Sequence, residues 1–273
     1  MKLTLLFCFL IGTYIPILAQ TDPITQVHGA RSQGMGNLRV HGDDVWSYFN
    51  NPGGLASLNS STLAIGADQR YGLKELSTLD FASAWISRVG TWGVGVSKFG
   101  GKLFNQQAIG VAFANKLGIV SFGGSLQWFQ TKIEGFGSGN SLIFSFGGIA
   151  ELSPQIKMGA SISNLNRGKI SKKTEQRIPT GISMGLDYTP ITSLSLQLEI
   201  EKDIQLSPIV KAGLEYGIKE LIFLRAGINS HPNRIFFGLG VNPGKFSFDY
   251  AFGQNSSLGN THHVSFALEL TER

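Results

Sequence analysis

Ser193-Leu194-Ser195-Leu196-Gln197-Leu198-Glu199-Ile200-Glu201 alternates polar and apolar residues without a fault. A period of two sends every second side chain to the same face of a β-strand. The stretch therefore reads as a strand with one apolar and one polar face. Lys245-Phe246-Ser247-Phe248-Asp249-Tyr250-Ala251-Phe252 repeats the pattern, and so does His263-Val264-Ser265-Phe266-Ala267-Leu268-Glu269-Leu270. Outward from these, turn signals divide the chain from Ser60 onward into about fourteen strands. The reading is 60–68, 77–87, 91–99, 104–114, 117–131, 140–151, 155–164, 179–189, 193–202, 207–217, 221–229, 234–242, 245–253 and 261–270. Short links at Val89-Gly90, Asn115-Lys116 and Asn242-Pro243-Gly244 contrast with longer ones at 132–139 and 165–178. A membrane barrel with short turns at one rim and longer loops at the other has this rhythm.

The polar face separates a soluble sandwich from a membrane barrel. A soluble protein exposes lysine and glutamate there. Here many positions are small or neutral, as in Gly181, Ser183, Gly185 and Asp187. Charged residues make up only 15% of the 273-residue chain, against a usual ~25%. The 35 glycines are nearly twice the usual ~7%. No apolar run after residue 20 approaches the ~20 residues a membrane helix needs. We therefore expect an all-β fold: a closed antiparallel transmembrane β-barrel of about fourteen strands with a crowded, mostly neutral lumen. Trp85, Trp92, Trp128, Tyr188, Tyr216 and Tyr250 suit either aromatic girdles or core packing.

The first residues carry an address. Lys2 precedes an apolar stretch from Leu3 to Leu18, and Ile17-Leu18-Ala19 ends on a small residue. This reads as a secretory signal peptide, 1–19, cut between Ala19 and Gln20. Cys8, the only cysteine, falls within it, so the exported chain has no thiol chemistry. The net charge of +5 is scattered, apart from Lys169 to Arg177. That cluster lacks interleaved aromatics and reads as a solvated loop; no nucleic-acid partner is expected.

Residues 20–59 differ from the rest. Gly29-Ala30-Arg31-Ser32-Gln33-Gly34-Met35-Gly36 is glycine-rich, Gly42-Asp43-Asp44 precedes a short helical stretch that Asp43 can cap, and Asn50-Asn51-Pro52-Gly53-Gly54-Leu55 is a turn signal. Forty such residues are long for a linker. They are expected to fold into the lumen, ahead of a barrel spanning 60–273.

Gly29, Arg31, Gly34, Met35, Gly36, Asp43, Asp44, Asn50, Asn51, Pro52, Gly53 and Leu55 form a pattern that resembles the N-terminal motif of the PorV/PorQ family. That family is related to the FadL-type transporters, TodX among them. The familiar form is Asn-Pro-Ala-Gly-Leu, where this chain has Asn-Pro-Gly-Gly-Leu. The C-terminal stretch Asp249-Tyr250-Ala251-Phe252 with Leu258 to Phe266 is similar as well. The resemblance implies a fourteen-stranded barrel with a lumen segment, exported to the outer membrane of a Gram-negative cell. It also implies one of two roles: accessory to type IX-like secretion or surface assembly, or passage of hydrophobic small molecules. The chain is short for the family, so its outer loops must be trimmed.

Other chemistry was weighed. Gly181-Ile182-Ser183-Met184-Gly185 matches G-x-S-x-G, but the nucleophile elbow needs a strand-to-helix turn. His262 and His263 are adjacent on a strand and point to opposite faces, so they do not share a metal. Asp43-Asp44 suits capping and lumen hydrogen bonding better than a cation. We expect no enzyme, no cofactor and no metal. The main expectation is a secretion-accessory barrel with outer-membrane lipid and secretion proteins as partners. The alternatives are FadL-like transport of hydrophobic small molecules and a soluble secreted all-β binding module.

Overall fold

The computed structural model describes residues 26–170, 178–204 and 206–272. The expected signal peptide, 1–19, lies outside them, as does most of the basic cluster 169–177. Three short helical pieces come first: α1 (Ala30–Gly34), α2 (Ser47–Asn50) and a 3-10 turn (Pro52–Ser57). Fourteen strands follow: β1 (Ser60–Arg70), β2 (Leu73–Ser87), β3 (Gly90–Gly100), β4 (Phe104–Leu117), β5 (Val120–Ile133), β6 (Gly137–Ser153), β7 (Ile156–Ser163), β8 (Gly181–Ile191), β9 (Leu194–Asp203), β10 (Ile209–Ile218), β11 (Ile222–Ser230), β12 (Asn233–Val241), β13 (Phe246–Asn255) and β14 (Gly259–Glu272). Each pairs antiparallel with its sequence neighbours. β1 closes on β14, with Ser60 opposite Glu272 and Arg70 opposite Thr261. Closure leaves no sheet edge and satisfies every ladder within the sheet, the condition for crossing lipid with strands. Among the described residues no helix is long and apolar enough to cross a membrane.

The burial pattern runs opposite to that of a soluble protein. On β9, Gln197 and Glu199 are 8% and 1% exposed, whereas Leu198 and Ile200 are 59% and 55% exposed. The same reversal holds on β12, where Ile235 and Phe237 face out and Phe236 faces in. The apolar face is the outer face, so the soluble binding module is excluded and the barrel presents its leucines, isoleucines and phenylalanines to lipid.

Call the rim carrying Ser60 and Glu272 the near end, and the rim carrying the β1–β2 turn the far end. Trp85, Trp92, Tyr188 and Tyr216 all face outward close to the near end, and Trp85 sits opposite Trp92 across the β2–β3 ladder. These four form an aromatic girdle on that side. Trp128 lies in the far half of β5, and Tyr250 lies mid-strand, its hydroxyl 2.8 Å from His262 Nδ1.

Several expectations need correction. The turn placed at Asn115-Lys116 is at Gly118-Ile119, because Gly118 supplies the positive φ of the hairpin. The far-end connections are nearly as short as the near-end ones, with 164–180 the exception. The lumen is small and neutral only in part, since even β1 and β2 turn Asp68 and Asp80 inward. Ala64, Ala82, Ala84, Ala112 and Ala114 line β1, β2 and β4, while β9, β10, β11 and β13 point Glu199, Glu201, Lys211, Glu215, Arg225 and Asp249 inward.

Candidate functional site

The described part of 20–59 fills the middle of the barrel. Its short helices are far below the length that is stable alone, so the wall must hold them. On one side the contact is apolar. Val45, Trp46, Tyr48 and Leu55 pack against the alanine-lined wall; small wall residues leave room for large plug residues.

On the other side, glycine permits backbone-to-backbone contact. A Cβ on Gly34 would lie 2.9 Å from Gly238 Cα on β12. Gly36 has φ +88°, and a Cβ there would lie 2.9 Å from the Ala212 carbonyl oxygen on β10. Gly34-Met35-Gly36 thus crosses the wall where only glycine fits at both ends, and Met35 between them is buried.

Arg31 joins plug to wall. Its Nε donates to Glu215 Oε2 at 2.9 Å, its Nη2 to Glu215 Oε1 at 2.7 Å, and its Nη1 to Asp43 Oδ1 at 2.5 Å. Glu215 also accepts from Arg225 Nε at 2.5 Å, and Arg225 Nη1 donates to Asp249 Oδ1 at 2.7 Å. Asp43 is therefore an ion-pair partner and not the expected helix cap. Asp44 takes the local turn instead, accepting from the Trp46 backbone N–H at 2.9 Å. Burial works to raise the Asp43 carboxyl, but Arg31 and then Lys157 overcome it and hold it below the usual carboxylate range. Burial pushes Asp44 up to about 6, against the pull of Arg31, so it is still mostly ionised at neutral pH.

The two asparagines act as paired clamps. Asn50 Nδ2 donates to the His28 carbonyl at 2.8 Å, and Asn50 Oδ1 accepts from the His28 N–H at 2.9 Å. Asn51 Nδ2 donates to Val40 O at 2.7 Å and to Gly148 O on β6 at 3.3 Å, while its Oδ1 accepts from Gly53 N–H at 3.2 Å. Pro52 opens the 3-10 turn, where its missing N–H costs nothing. Gly53 lies so close to β6 that a Cβ would fall 2.6 Å from Gly147 O. Leu55 is wholly buried in the apolar cluster. Gly29, φ +85°, begins α1. The twelve singled-out residues therefore come together as one device, a plug with its fastenings.

Wall partners were not singled out from the sequence. Glu199 Oε2 accepts from the backbone N–H of Arg39 at 2.7 Å and of Val40 at 3.0 Å. Lys211 Nζ meets Glu199 at 3.1 Å and Glu201 at 2.5 Å. Gln33 Nε2 donates to Asp68, which pairs with His263 Nδ1 at 2.9 Å, and His28 Nδ1 pairs with Asp80 at 2.9 Å. The signal was present: each wall partner occupies an inward position of an alternating strand, where an ionised side chain needs a partner.

Two cavities lie on either side of the plug. The far-end one, about 620 Å³, carries Arg39, Arg70, Lys211 and Arg234 with apolar Leu73, Leu76, Ile209 and Phe236. The near-end one, about 240 Å³, carries Asp43, Asp44, Asp249 and Glu269 with Arg31 and Arg225. A gap of about 10 Å³ behind Arg31, Met35 and His41 has room for about one water. The segment therefore lies between the two cavities. Ser183 sits within β8, which runs on to Ile191, so no strand-to-helix turn follows it. His262 faces outward and His263 inward. Among the described residues no three metal-ligating side chains converge.

No family model matches the sequence, and no curated protein matches it. Solved structures do resemble the fold. A deltaS2 mutant of the TodX monoaromatic hydrocarbon channel superposes with a TM-score of 0.70 at 11% identity, covering 90% of this chain and 99% of the other. The Pseudomonas putida toluene transporter TodX gives 0.65 at 12% identity, covering 89% of this chain and 98% of its own. A Pseudomonas aeruginosa FadL homologue gives 0.64 at 10% identity, covering 91% and 99%. At such identities the likeness is one of fold.

Proposed function

We propose that the protein is an outer-membrane conduit for hydrophobic small molecules, held closed by its own N-terminal segment. One observation carries this reading: an inside-out barrel with a plugged lumen and a far-end cavity whose wall is partly apolar. The fold likeness to structures described as a hydrocarbon channel and a toluene transporter supports it. The far end carries the one long connection, 164–180, so in this reading the near end faces the periplasm, as the short-turn rim does in such barrels. The same fold likeness favours the conduit over the secretion-accessory function that the sequence favoured. The protein is not an enzyme in this reading: the lumen fastens and encloses, and performs no chemistry.

The test uses porin-depleted Gram-negative cells that carry the protein in their outer membrane. Toluene uptake should rise several-fold over cells without it. An unchanged rate sinks the conduit reading. Recovery of the protein with periplasmic contents, instead of in detergent-extracted outer membranes, sinks the location.

A further inference from the structure

Most charges in the lumen are spent in pairs. At the far end Lys211 is committed to Glu199 and Glu201, Arg39 Nε lies 3.6 Å from Glu201, and His263 pairs with Asp68. At the near end Arg31 and Arg225 are consumed by Asp43, Glu215 and Asp249. Among the residues that line the two cavities, two arginines and two carboxylates remain outside these pairs. Arg70 Nη2 donates to Gln26 Oε1 at 2.7 Å, and Arg234 Nη2 to the Tyr71 hydroxyl at 3.3 Å. Among the described residues neither has a carboxylate at ion-pair distance, and Arg234 Nε is buried without a hydrogen-bond partner. Both arginines line the far-end cavity. Asp44 and Glu269 line the near-end cavity, and among the described residues neither has a cation at ion-pair distance.

Unpaired charge on the cavity linings thus changes sign along the barrel axis, positive in the far-end cavity and negative in the near-end one. We propose that Arg70 and Arg234 together with Asp44 and Glu269 form a two-step charge filter that passes uncharged hydrophobic molecules and turns back both cations and anions. The inference rests on the conduit reading and names its substrate class. A cavity with low-dielectric walls focuses the field of unpaired charges. A cation approaching the far end meets the two arginines. An anion enters the far-end cavity and then meets the two carboxylates before it can leave. A neutral ring meets neither barrier and rests on Leu73, Leu76, Ile209 and Phe236. Among the described residues none of the four is a member of an ion pair, so selectivity gives their charge a use that pairing does not.

The experiment compares one ring in three charge states, toluene, benzoate and benzylammonium, for uptake at neutral pH by the same porin-depleted cells. Toluene uptake should exceed that of either ion by about tenfold or more. The variants then separate the two steps. Arg70→Gln with Arg234→Gln should raise the benzylammonium-to-toluene ratio and leave the benzoate ratio low. Asp44→Asn with Glu269→Gln should do the reverse; asparagine retains an oxygen to accept from the Trp46 N–H. Arg70→Lys with Arg234→Lys, which keeps the charge, should restore exclusion of benzylammonium. Heat-modifiable gel migration establishes that each variant is a folded barrel. Native protein that takes up either ion as fast as toluene overturns the filter and leaves the conduit standing. Both neutralised pairs raising both ions equally means a loosened plug and also overturns it. No toluene uptake at all overturns the conduit beneath it.

Discussion

At the residue scale the plug is fastened by geometry as much as by charge. Arg31 engages Glu215 through two parallel N–H···O bonds and Asp43 through a third. A planar fork fits that arrangement and an ammonium does not. Arg31→Lys should therefore cost about 1–2 kcal/mol of plug attachment although the charge is kept. On the scale where 1.4 kcal/mol is tenfold, protease should nick the N-terminal segment about tenfold faster. An unchanged cleavage rate would show that Arg31 is not the fastening. Asn51 argues similarly: its amide donates to two carbonyls, Val40 and Gly148, and accepts from Gly53. An aspartate of the same shape cannot donate, which gives a physical reason for asparagine at this place in the turn.

At the element scale each strand does two jobs, and alternation keeps them apart. β9 gives Leu198 to lipid and Glu199 to the plug. Leu198→Arg should destabilise the barrel by about 2–4 kcal/mol, the depth-dependent cost of a cation near the bilayer middle. Leu198→Phe should cost under ~1.5 kcal/mol. Unfolding midpoints in urea, measured in lipid vesicles, check both; equal effects would mean that Leu198 does not face lipid. The strands are also uneven, 17 residues in β6 and 8 in β7. Crossing the hydrocarbon takes about 9–11 residues, so the wall from β4 to β6 stands beyond what lipid requires.

At the scale of the whole molecule, closure is a property of plug and barrel together. Removing residues 20–59 should raise single-channel conductance in a planar bilayer, because the two cavities would then join. Conductance equal to that of the native protein would mean that the plug does not seal the barrel. The barrel itself should survive the deletion, since β1 to β14 pair into a closed sheet without help from the N-terminal segment.

The strand architecture was legible because alternation is a local signal: Ser193 to Glu201 announces two faces before any partner is known. The motif residues were legible too, since Gly34, Gly36, Asn51 and Pro52 each meet a backbone demand that other residue types satisfy poorly. What the residues around them do was not legible. Asp43 looked like a cap because capping is local, whereas its partner Arg31 is twelve positions away and is aimed by Glu215 on a distant strand. The ionic half of the lumen was missed for the same reason: a strand pattern says which side chains share a face, never which strand lies opposite.

The sequence by itself therefore determined that this chain is a lipid-facing β-barrel with an inserted N-terminal segment, because hydrophobic period and turn chemistry act between near neighbours. Only the tertiary structure decided that Arg31 and Asn51 fasten the segment to the wall, and that unpaired charge reverses sign from one cavity to the other. Those facts depend on residues far apart in the chain coming together, Arg31 with Glu215, Asn51 with Gly148 and Arg70 beside Arg234. Such pairings exist only once the wall strands stand around the segment.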